Sequence, residues 1–117
     1  MLNSSQSNGD GQGSIRPAGE LRAFVATMLG GHSWVVDLLP NYELTIGRDP
    51  DSDIRIDAPD VLPKHATLHW NGEQILLTET AGGSGVLVNE EPAFGQNRIT
   101  PGDEIDIGPA TLIVNIT

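Results

Sequence analysis

The chain has 117 residues, enough for one domain with a single core and too few for two ordinary ones. Its 38% hydrophobic and 19% charged residues exclude wholesale disorder, and the absence of cysteine excludes disulfide frameworks, thiolate metal sites and cysteine nucleophiles. A net charge of −10 opposes broad contact with nucleic acid or an anionic membrane, no apolar run approaches a bilayer span, and the N-terminus lacks a signal-peptide pattern. A soluble, cytoplasmic protein is expected.

Residues 1–20 are mostly Ser, Asn, Gln and Gly. They have too little apolar surface to offset backbone entropy, so a flexible tail or linker is expected there, with the folded domain over residues 21–117. Residues 22–29 and 33–38 have strand composition and are joined through Gly30-Gly31, which suggests a hairpin. Residues 42–47 alternate apolar and polar side chains, and Ile54 and Ile56 do the same around Arg55. Pro50, Pro59 and Pro63 rule out a continuous helix between them.

Residues 66–70 and 73–78 flank Asn71-Gly72, the strongest short-range hairpin signal. Further strands are expected at 86–88, 104–108 and 111–116. No 3.6-residue period is sustained anywhere. Short strands with frequent turn signals predict an all-β fold, an antiparallel sandwich or barrel with its binding site on loops at one end.

Three motifs suggest chemistry that their context does not support. Asp49-Pro50-Asp51-Ser52-Asp53 begins like a calcium loop, but Ile54 stands where glycine is needed and Asp60 where glutamate is. A turn whose aspartates accept hydrogen bonds from their own backbone is the expectation. His65 and His69 have the spacing of a zinc pair, but on a strand and without the glutamate, so His65 is expected to bond a loop backbone. Gly82-Gly83-Ser84-Gly85 is followed by neither Gly-Lys-Ser/Thr nor a helix, and reads as an inter-strand loop. No catalytic set, metal site or cofactor is expected.

Gly47-Arg48, Asp53-Ile54, His65-Ala66, Val88-Asn89, Gly102-Asp103-Glu104-Ile105 and Ile107-Gly108, in this order and spacing, resemble the signature series of the forkhead-associated (FHA) domain. The resemblance covers residues 21–117. It implies an antiparallel β-sandwich of about eleven strands that binds phosphothreonine peptides of protein partners through loops at one end. By that resemblance Arg48 contacts the phosphopeptide, Lys64 offers a further basic contact, and Ser84 and Gly85 meet the peptide backbone. Gly47, His65 and Asn89 are structural residues of the binding loops.

The chain departs from the family pattern at three positions. Leu62 stands where a serine contacts phosphate, Ser84 where an asparagine holds the peptide, and Val86 where a threonine follows the glycine. The expectation is a non-enzymatic, regulatory module of bacterial type, with weakened or altered phosphothreonine specificity, belonging to or acting beside a larger protein. Residues 1–20 contain no threonine, which disfavours self-recognition by a phosphorylated tail. The alternative is a phosphate-independent scaffold in which the same loops, with apolar Leu62 among them, or a face of the sandwich bind an unmodified partner, and the alternative for Arg48 is a surface salt bridge to Asp49, Asp51 or Asp53.

Overall fold

Alternating burial along most of the strands divides the side chains between a shared interior and solvent, and two sheets close over that interior. The computed structural model describes residues 21–80 and 85–117. Among these there is no helix, and the eleven strands form a β-sandwich. The strands are β1 (Ala23–Leu29), β2 (His32–Leu38), β3 (Glu43–Gly47), β4 (Ile54–Arg55), β5 (Ala66–Trp70), β6 (Ile75–Glu79), β7 (Val86–Val88), β8 (Glu91–Pro92), β9 (Gln96–Ile99), β10 (Glu104–Ile107) and β11 (Ala110–Ile116). One sheet has the order β2-β1-β11-β10-β7-β8 and the other β4-β3-β5-β6-β9.

The core lies between them. Val25, Leu112, Val114, Ile105 and Ile107 from the first sheet meet Leu44, Ile46, Leu68 and Leu77 from the second, all at most 1% exposed. Burying each contributes roughly 1.5–3 kcal/mol of transfer free energy.

Gly30-Gly31 makes the two-residue turn between β1 and β2, both glycines at positive φ, as a primed hairpin turn requires. The second hairpin differs from the expected tight Asn-Gly turn. Trp70 pairs with Ile75, so residues 71–74 all belong to the loop. The Asn71 carboxamide oxygen accepts the amides of Glu73 and Gln74 at 2.9 and 2.8 Å, and the Asn71 amide donates to the Gln74 carbonyl at 3.2 Å, so side chain and backbone close the loop together.

Two strands were absent from the sequence reading. β9 has only Ile99 buried, so its apolar alternation is too short to detect, and β8 is two exposed residues. One pairing is parallel rather than antiparallel: β4 runs alongside β3, Ile46 opposite Ile54 and Gly47 opposite Arg55. The chain must therefore double back between them, and residues 48–53 form a projecting loop at that end of the sandwich.

Candidate functional site

The strand directions gather particular loops at one end. β3 ends, β4 leads out, β5 begins, β6 ends and β7 begins there, so loops 48–53 and 56–65 and the start of β7 are neighbours. Their mutual position is fixed mainly by backbone bonds. The Arg48 amide donates to the Leu62 carbonyl at 2.9 Å and the Asp49 amide to the Pro63 carbonyl at 3.2 Å. Gly47 is required by this closeness, because a Cβ there would collide with the Pro63 carbonyl.

His65 joins the loops from below. It is 1% exposed, its amide donates to the Ile46 carbonyl at 2.9 Å, and its Nδ1 accepts the Leu62 amide at 3.0 Å. Accepting through Nδ1 places the proton of the neutral ring on Nε2. Nε2 has no hydrogen-bond partner among the described residues and faces Gly85, where a Cβ would stand 3.2 Å away. Gly85 has φ +94, so it satisfies both a left-handed backbone and a close approach to the ring. Thr80 adds a tie from the next loop, its amide to the His65 carbonyl at 3.0 Å and its hydroxyl to the Lys64 carbonyl at 2.7 Å.

Leu62 is thus held by its backbone on both sides, carbonyl to Arg48 and amide to His65, while its side chain remains 44% exposed. Lys64 is exposed, and Arg48 is half-buried. Among the described residues Arg48 makes no ion pair. Two of the nearby carboxylates accept hydrogen bonds from other groups. Asp53 accepts from the Thr45 amide at 3.0 Å and the Tyr42 hydroxyl at 2.9 Å, and Asp49 accepts the Asp51 amide at 3.1 Å. The Asp53 hydrogen bond, with some burial and the carboxylate's charge, raises the Tyr42 phenol above its ordinary pKa.

Arg48 and Arg55 line one open hollow of about 390 Å³ with Asp49, Pro50, Asp57 and Pro63. A larger hollow of about 800 Å³ lies at the other end, among Leu21, Phe24, Val35, Leu39 and Trp70. There Arg22 pairs with Asp37 at 3.6 Å, so the smaller hollow is the one with an arginine unmatched by a carboxylate among the described residues.

The residues expected at the site divide as follows. Arg48, Leu62, Lys64, Gly47, His65 and Gly85 come together, whereas Ser84 lies outside the described residues. Asn89 is elsewhere, at the far end of β7. Its side chain donates to Asp103 at 3.0 Å and accepts the Glu104 amide at 3.0 Å, joining the turn after β7 to the turn before β10. The residue at φ 51 serves that turn and not the binding loops. Arg55 was not singled out from sequence. Its signal was its place between two inward isoleucines, which puts it outward beside the strand paired with Gly47.

The sandwich carries, on loops locked by backbone bonds, a half-buried arginine that makes no ion pair among the described residues. The FHA domain family model matches residues 44–108, and the chain belongs to the FHA domain family. It is 37% identical over 76 residues to the oxoglutarate dehydrogenase inhibitor of Corynebacterium jeikeium, covering 65% of this chain and 52% of that protein. It is 34% identical over 97 residues to the inhibitor of the same name from Corynebacterium glutamicum, covering 83% and 66%. The chain thus spans about half to two thirds of the length of these relatives. Among solved structures, an FHA domain from work on phosphothreonine-dependent FHA domain interactions superposes with a TM-score of 0.68 at 27% identity, over 79% of this chain and 95% of that one. Among the described residues no helix is long and apolar enough to cross a membrane.

Proposed function

We propose that the loops around Arg48 bind phosphothreonine-containing segments of partner proteins, with specificity altered at Leu62 and Ser84. The observation that carries this is the Arg48 guanidinium, left without a carboxylate among the described residues in an acidic chain, on a loop fixed by Leu62, Pro63 and His65. A guanidinium presents donors in a fork that matches phosphate oxygens and stays charged at any working pH. Lys64, exposed on the neighbouring loop, adds a second cation, and by the family resemblance Ser84 and Gly85 meet the peptide backbone.

Leu62 offers phosphate no hydroxyl. A hydrogen bond to a charged group contributes roughly 1.5–3 kcal/mol, so affinity is lower by about ten- to a hundredfold than with serine there. The module is non-enzymatic and acts in the cytoplasm within or beside a larger regulatory protein.

A second reading, a phosphate-independent scaffold, is favoured by one observation: Leu62 presents an apolar side chain to solvent among the recognition loops. Amide NMR shifts during titration separate the two. Shifts around Arg48, Lys64 and Gly85 with a phosphothreonine peptide, absent with its unphosphorylated twin and lost in Arg48→Ala, support phosphate recognition. Equal shifts with both peptides support the scaffold.

A further inference from the structure

Arg55 lies on β4 between Ile54 and Ile56, both fully buried, so the strand's alternation turns it outward. Its Nε donates to the Arg48 carbonyl at 3.1 Å, which aims the rest of the guanidinium into the hollow that both arginines line. Its terminal nitrogen is 3.9 Å from the Asp57 carboxylate, with the two side chains 47% and 72% exposed. At that distance and exposure the pair is weak and easily exchanged for another carboxylate. The other acid of the hollow, Asp49, accepts the Asp51 amide through one oxygen and makes no ion pair with Arg55 among the described residues. A guanidinium has five N–H donors, so most of those on Arg55 remain available.

We infer that Arg55 is a specificity-determining residue that binds an Asp or Glu carboxylate of the partner peptide, close in sequence to the phosphothreonine on Arg48. This rests on the phosphothreonine reading and adds to it a second anionic subsite. The two arginines share one hollow, and an extended peptide advances roughly 3.3 Å per residue, so the acid falls within about three residues of the phosphothreonine. Asp57 acts as an internal competitor that the peptide carboxylate displaces.

Calorimetric titration with phosphothreonine peptides carrying one Glu, or Gln as its neutral match, at each of the three positions on either side tests this. At one or two adjacent positions Glu should bind about three- to tenfold more tightly than Gln. Arg55→Gln should bring that ratio to one, and Asp57→Asn should enlarge it. The ratio is the readout because Arg55 also touches the Arg48 carbonyl, and a loss through that bond weakens all peptides alike. The inference is overturned if no position shows a Glu preference, or if Arg55→Gln weakens every peptide equally and preserves the ratio. The Gln peptides test phosphothreonine recognition by itself. If they bind without any Glu advantage, only the second subsite fails, and if no phosphopeptide binds, both fail.

Discussion

Leu62 shows how a recognition loop can lose a ligand contact without losing its shape. Its carbonyl and amide hold Arg48 and His65 whatever its side chain is, so leucine costs the fold little while removing a hydroxyl from the site. Leu62→Ser should therefore leave the melting temperature nearly unchanged and strengthen phosphothreonine-peptide binding by about tenfold in calorimetry. His65 has the opposite character. His65→Ala removes the acceptor of the Leu62 amide and leaves a cavity beside Gly85, at a cost of roughly 3 kcal/mol, and thermal unfolding should show a fall of roughly 10 °C or more. Arg48, Gly47 and His65 were legible in the sequence because they fall, in order and spacing, within the FHA signature series. The sequence placed Leu62 at the phosphate-contact position but could not show whether that side chain is exposed, because a residue held by its backbone has no signature of exposure in its own letter. Asn89 was misplaced for a related reason: a short strand separates it from Gly85, and only the pairing of β7 with β10 shows that its side chain serves the opposite end.

The strands themselves were largely readable from period-two alternation, and the exceptions have physical causes. β9 is an edge strand with one buried residue, and Asn71-Gly72 became a four-residue loop because the Asn71 side chain accepts two amides. The parallel β3–β4 pair could not be read at all, since alternation gives no direction. That pair is what throws Arg48 and Arg55 to the same side. On β10, alternation puts Glu104 and Asp106 on one face. The Asp106 carboxylate, with some burial, an Asp106 hydrogen bond and Glu90, raises the Glu104 pKa above its usual value. A carboxyl whose pKa is raised by folding gives stability below its ordinary pKa and loses it as pH rises through the raised value. Glu104→Gln should accordingly melt higher than the parent protein near pH 7, with the gap closing toward about pH 4. An equal gap at both values would mean that Glu104 carries no repulsion.

Across the whole molecule, charge is distributed unevenly. Of six basic residues in a chain of net charge −10, Arg48, Arg55 and Lys64 sit at one end of the sandwich. The same loops carry Asp49, Asp51, Asp53, Asp57 and Asp60, so a ligand there is selected by directed bonds to the arginines rather than by net charge, and the acidic chain discourages polyanions such as nucleic acid. Among the described residues every buried core side chain lies between Ala23 and Val114, and Arg22 and Thr117 exchange backbone bonds at 3.0 and 2.8 Å to close the sheet. A protein trimmed to residues 21–117 should therefore unfold cooperatively at the temperature of the full chain. The central claim, that phosphate is read by Arg48, is tested most directly by calorimetric titration of the parent protein and Arg48→Ala with one phosphothreonine peptide and its unphosphorylated twin. The structure predicts binding of the phosphorylated peptide by the parent alone, with at least tenfold loss in Arg48→Ala at unchanged melting temperature. Equal affinity of the two proteins for the phosphopeptide, or of the parent for both peptides, would contradict it.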